Sequence, residues 1–223
     1  MKLSELSDRA GTPAATIKYY LREGLLAPGH PVTATRSSYD DAHVTRLRTI
    51  RTLRHAVGLS VAQVRDVVRL IDAGVDRIEV LKALQAAVQR LDPPQPGRTA
   101  AGNRVVAALG WPDVPTGARG ALDAHLEAMT ELGVAPSAAR LEAYARAADE
   151  IAIVDIADAV EATDLEDLVV RTAVGMHMNA QLVQRLLALA QASRSIMQYG
   201  QAAQGPGLLS RSGDRPRRPA PGE

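Results

Sequence analysis

The 223-residue chain has no cysteine and no phenylalanine, and only 3% of its residues are aromatic. Without cysteine it can form no disulfide, no thiolate metal site and no thiol redox switch. So few rings leave little from which to build a cage for an organic cation, which needs several aromatic faces. Trp111 is the single tryptophan, and Tyr144 and Tyr199 are the only tyrosines beyond the first 39 residues. No apolar run is long enough to span a bilayer, and the first residues lack the apolar stretch of a signal peptide. The expectation is a cytoplasmic protein with no membrane partner. A phosphate-cradling glycine loop, a nucleophile elbow, a dinucleotide fingerprint and a zinc-protease helix are also missing. The sequence therefore gives no argument for catalysis, for a bound cofactor or for a metal.

Charge is present, but unevenly placed. The formal net charge is only +1, yet residues 1–60 carry nine Lys and Arg against five Asp and Glu, while residues 105–200 carry six against thirteen. A basic front and an acidic back suit a chain whose front meets a polyanion and whose back stays off it.

The front is most informative over residues 3–39. Leu3, Leu6 and Ala10 share one helical face. Gly11 breaks that helix, and Thr12 with Pro13 restarts it, a hydroxyl at the cap and a proline at the first helical position. The second helix runs to about Glu23 and stops at Gly24. Two short helices joined by a tight glycine turn predict a helix-turn-helix, whose second helix enters a DNA major groove. Thr16, Lys18, Tyr19 and Arg22 offer groups for bases and phosphates, while Ile17, Tyr20 and Leu21 form the buried side. The plain alternative is a solvated surface helix. The next segment, APGHPVTATRSSY, is rich in Pro, Gly, Ser and Thr and reads as a short β-hairpin; His30 within it reads as an exposed loop histidine.

The strings IKYYLREGLL, the loop ending in Tyr39 and GLSVAQVRDVV, in that order and spacing, resemble the start of a MerR-type transcriptional regulator over residues 1–74. The resemblance implies a winged helix-turn-helix in which Lys18 and Tyr19 touch the DNA backbone. It places Ser38 and Tyr39 in the wing. The family's wing carries an arginine two positions before its tyrosine; here Ser37 sits there, and Arg36 is one position earlier. It further implies a homodimer on inverted-repeat promoter DNA, acting indirectly on RNA polymerase from the nucleoid. The members that sense metals through cysteine are excluded.

Asp40 is placed to cap a helix in which Val44, Leu47, Ile50 and Leu53 alternate with Arg46, Arg48, Arg51 and Arg54. One or two of these arginines, Arg46 foremost, are expected near DNA. Ser60 and Gln63 form a capping-box pattern for the next helix, which Gly74 closes. Ile78, Leu81, Leu84, Val88 and Leu91 then follow the rhythm of a coiled coil. With the resemblance they predict a dimerisation helix over 75–92; the alternative is a helix packed on its own chain. DPPQPG cannot continue a helix and marks a linker at 93–98. From 99 to 200 the Ala- and Leu-rich sequence predicts an all-helical effector domain, with helices near 100–109, 118–132 and 137–153 and a pair between 165 and 199 broken near Gly175. Residues 201–223, rich in Pro, Gly and Arg, read as a disordered tail. The expected fold is thus mainly α: a winged helix-turn-helix with a small β-wing, a dimerisation helix and a C-terminal all-α bundle.

Two clusters in the back half invite chemistry. Met176, His177 and Met178 hold soft and imidazole ligands, but successive residues on a helix point about 100° apart and cannot converge on one ion. The carboxylates between Asp149 and Asp167 read as a solvated face. An aliphatic cavity could hold a small apolar effector, with Trp111, Tyr144, Met176 and Met178 as candidate lining; the alternative is a filled core, or a surface for docking another protein.

Overall fold

The computed structural model describes residues 1–33, 36–93 and 99–199, and of 158–160 only the backbone. Most of the expected linker and all of the expected tail lie outside the described residues. The chain divides into two compact units, Met1–Ala180 and Gln181–Glu223. The architecture is mainly α, with nine α-helices and one two-stranded antiparallel sheet among the described residues.

Helix α1, Leu3–Ala10, buries Leu6 and Ala10 and ends at Gly11, whose φ of 59° is open to glycine at little cost. Helix α2 is Ala14–Arg22 and buries Ile17 and Tyr20. Its cap is Pro13, one position later than expected. Thr12 is buried, and its hydroxyl turns back to the Ala10 carbonyl at 3.3 Å, so it closes the turn instead of capping the helix. Leu25 and Leu26 then drop into the core. Strands β1, His30–Thr33, and β2, Arg36–Ser38, form the hairpin, with His30 opposite Ser38.

Helix α3, Asp41–Arg51, runs on through a π-helical turn at Thr52–Ala56 and buries Val44, Leu47, Ile50 and, in that turn, Leu53. Its cap is Asp40, as the sequence predicts: the His43 amide donates to Oδ1 at 3.2 Å. Helix α4, Val61–Asp72, starts with the expected reciprocal bonds between Ser60 and Gln63, at 3.2 and 2.9 Å. Val64, Val67 and Val68 give it a buried stripe.

Helix α5, Arg77–Gln89, carries most of the expected dimer-seam residues. Leu84 is fully buried, together with Val80, in the same core as α1 to α4. Leu81, Val88 and Leu91 are half-buried by their own chain, and Gln63 donates across to the Ala87 carbonyl at 3.1 Å. Of the five seam residues only Ile78 is exposed. Leu84, in the 3-4 stripe that suggested a mate, is thus covered by the chain's own core.

Four helices follow: α6, Ala100–Leu109, α7, Gly117–Glu131, α8, Ala138–Val160, and α9, Leu165–Tyr199. The first has the expected bounds. Helix α8 runs past 153, and Gly175 lies inside a continuous α9, since a lone glycine costs a helix only about 1 kcal/mol. Between α6 and α7 sits a nearly buried polar cluster: Thr99 Oγ1 donates to Asp123 Oδ1 at 2.7 Å, and Arg119 lies 3.5 Å from the other oxygen of Asp123. Gly102 is tucked against both charged groups, where a Cβ would overlap them. The start of α9 joins the front of the molecule, because Val169 and Ala173 belong to the core built by α1 to α5.

Candidate nucleic-acid interface

Folding of the first pair of helices decides what α2 presents. With Ile17 and Tyr20 held inside, Ala15, Lys18 and Arg22 line the opposite, exposed face. Thr16 and Tyr19 are half-buried beside it, and Tyr19 leans on Tyr20 with ring centroids 5.8 Å apart. No carboxylate lies on α2, and the first one after it, Glu23, is turned to Arg65 of α4. The exposed face is therefore purely basic, with small residues at its N-terminal end.

More arginines gather at the turn. Arg48 and Arg51 are exposed on α3, and with Arg9 and Gly11 they line a polar depression of about 420 Å³. Arg51 Nη1 lies within 3.4 Å of the Gly11 carbonyl and so sits over the turn itself. Their proximity to Gly11 could not be read from an arginine-rich helix, since the contact spans 40 residues. On the hairpin, Arg36 is exposed, and the Ser38 hydroxyl lies 3.4 Å from the His30 carbonyl.

Two expected contacts are placed otherwise. Tyr39 is buried: its backbone exchanges hydrogen bonds with Met1 at 2.6 and 2.9 Å, and its ring packs edge-on against His43 at 5.2 Å. It anchors the base of the hairpin. Arg46 is mostly buried and holds Asp72 at 2.6 Å and also Glu166 of α9. Burial opposes its charge, but those two carboxylates outweigh it and hold the guanidinium above its ordinary range. Its guanidinium is thus held by two carboxylates of the chain itself.

At the hairpin base Asp40 receives His43 Nδ1 at 2.6 Å and His30 Nε2 at 3.1 Å. These hydrogen bonds, first His43 and then His30, hold its carboxyl well below the usual carboxylate range. His30, expected as a plain loop histidine, is thereby tied to the start of α3.

The four candidate effector contacts do not converge. The Trp111 indole donates to Asp149 Oδ1 at 2.7 Å, and Tyr144 and Met178 are exposed. Of the four, Met176 alone lines the cavity of about 280 Å³ between α5, α8 and α9, with Ile78, Leu81, Ile156 and Thr172. Among the described residues no group of three His, Cys, Asp or Glu side chains is placed to hold a metal ion, and no helix is long and apolar enough to cross a membrane.

Two helices on a glycine turn, a two-stranded wing and a second helix pair define a winged helix-turn-helix front on a mainly α chain. Residues 1–71 match the family model described as MerR HTH family regulatory protein, so the front is similar to that of MerR-type regulators. The crystal structure of the putative transcriptional regulator SCO5550 from Streptomyces coelicolor A3(2) is similar beyond that region. It is 29% identical, with a TM-score of 0.61, over 90% of this chain and 98% of that one. A comparison with curated proteins gave no match.

Proposed function

We propose that this protein is a homodimeric regulator that reads an inverted repeat in promoter DNA through residues 1–74. The observation that carries this reading is the all-basic exposed face of α2, with Arg48 and Arg51 at the turn below it and Arg36 on the wing. Small residues at the start of α2 allow close approach to base edges, Lys18 and Arg22 meet phosphates or bases, and the wing reaches the backbone beyond. Two such fronts on one dimer engage successive major grooves. Bending or untwisting the promoter between them changes its fit to RNA polymerase, so the polymerase is affected indirectly and no catalysis by the chain is involved. Sequencing the genomic fragments retained by the purified protein tests this. Inverted repeats are expected; fragments without a shared motif would support an architectural DNA-bending protein instead.

The cavity between α5, α8 and α9 favours a small apolar effector over a protein-docking role for the back of the chain. It is bounded by Leu81, Ile156 and Met176 and touches α5, which packs directly on the winged domain. An effector there raises the melting temperature by mass action, so a screen of apolar metabolites by thermal shift should find stabilising compounds. Met176→Trp, which fills the cavity, should abolish that stabilisation while leaving DNA binding intact.

A further inference from the structure

The exposed side of α2 is a single stripe. Pro13 at the cap, then Ala15, Lys18 and Arg22 at spacings of three and four, are exposed, while Thr16 and Tyr19 are half-buried on the flanks. Side-chain length rises along this stripe, from one methyl at the N-terminal end to an ammonium and a guanidinium on long stems. In a helix-turn-helix the N-terminal residues of the second helix meet base edges, so the shortest side chain stands where the bases are. The major groove is about 12 Å wide and a helix with its side chains about 10–12 Å across. An alanine at the leading end lets the backbone sink toward the groove floor, and Lys18, one turn on, has the reach to return to a phosphate at the rim.

The residue types on α2 restrict what it can read. Its sequence, AATIKYYLR, holds no Asn, Gln, Asp or Glu. Adenine is singled out by Asn or Gln, cytosine by a carboxylate, guanine by Arg or Lys, and thymine by apolar contact with its C5-methyl. Groups selective for adenine and cytosine are therefore missing from α2, and Glu23, just beyond it, is held by Arg65. Arg9, Arg48 and Arg51 line the depression at the turn, where charge adds attraction to phosphates without base information.

We propose that Ala15 sets the base preference of the half-site by packing its methyl against the C5-methyl of a thymine. This rests on the DNA-reading role proposed above and names the base which that role selects. The Ala15 methyl has no task in the core: Ile17 and Tyr20 hold α2 from the opposite side. Against thymine, two methyls leave water together, and cytosine at the same place offers no methyl to bury.

Fluorescence anisotropy with the full chain at fixed salt tests this, on the inverted repeat recovered from genomic fragments. Each thymine of the half-site is replaced in turn by deoxyuridine, in both half-sites together, which removes the C5-methyl alone. At one thymine position the replacement should weaken binding about 4-fold for each half-site altered, the loss of one buried methyl. Ala15→Gly should bind the unaltered duplex and that deoxyuridine duplex equally well. Ala15→Gln, which supplies a bidentate adenine reader, should move the preference there from thymine to adenine by on the order of 10-fold. Ala15 is exposed, so both variants should keep a cooperative thermal transition by circular dichroism. Deoxyuridine tolerated at every thymine, or a methyl still felt by Ala15→Gly, would overturn the assignment while leaving sequence-specific binding standing. Equal affinity of the unaltered chain for the repeat and a scrambled duplex would overturn both.

Discussion

Lys18 and Arg46 are both basic residues of the front, yet the fold gives them opposite employment. Lys18 is exposed on α2, and Arg46 is clasped by Asp72 and Glu166. Lys18→Ala should weaken binding to all DNA alike and reduce the salt slope by about one, since a phosphate contact carries no base information. Arg46→Ala should leave that slope unchanged and lower the melting temperature, because it strands Glu166 in a partly buried position. Titrations of both variants across salt concentration, beside their thermal melts, separate the two roles; an altered slope for Arg46→Ala would return it to the DNA contacts. Asp40 supplies a pH test. Its carboxyl is depressed in the folded state, so the stability it contributes is present above its ordinary value of 3.8 and is lost as pH falls below it toward the depressed value. Asp40→Ala should be less stable than the unaltered protein near neutrality, with the gap narrowing below pH 3.8 in urea unfolding. A gap that stays constant with pH would exclude the His43 and His30 bonds as its source.

At the scale of elements, α2 was legible because its chemistry is local. Its apolar and basic residues alternate at helical spacing, and the glycine turn before it needs only neighbouring residues. What the sequence could not show at Arg46 and Tyr39 has a different cause: their partners within the chain lie far along it. Glu166 is 120 residues from Arg46, and Met1 is 38 from Tyr39. For α5, periodicity reported correctly that one stripe is buried, but a stripe does not say whether its cover is a mate or α4. The two answers predict different outcomes for Leu84→Asp. With Leu84 fully buried in the core of the chain itself, the substitution should cost on the order of 3–5 kcal/mol of folding stability. Urea unfolding should show a large fall in midpoint at every protein concentration; a variant of unchanged midpoint that merely dissociates would place Leu84 in the dimer seam instead.

At the scale of the whole molecule, the back half does more than trail behind a linker. Val169 and Ala173 complete the core of the winged domain, and Arg77 Nη2 donates to the Ala162 carbonyl at 3.2 Å. The sequence showed a basic front, an acidic back and a linker between them; the packing of α9 on the front involves apolar residues that carry no such signal. A fragment ending at residue 92 should therefore melt well below the full chain, having lost at least one fully buried valine worth about 1.5–3 kcal/mol. Equal melting temperatures would mean that α9 adds nothing to the front.

The central claim, that the exposed face of α2 reads DNA sequence, is tested most directly by fluorescence anisotropy at fixed salt, comparing an inverted-repeat duplex recovered from the genome with a scrambled duplex of the same composition. The account predicts binding to the repeat at least about 10³-fold tighter than to the scrambled duplex, the lower end of the range for specific regulators. Equal affinity for the two duplexes, or no binding to either, would contradict it.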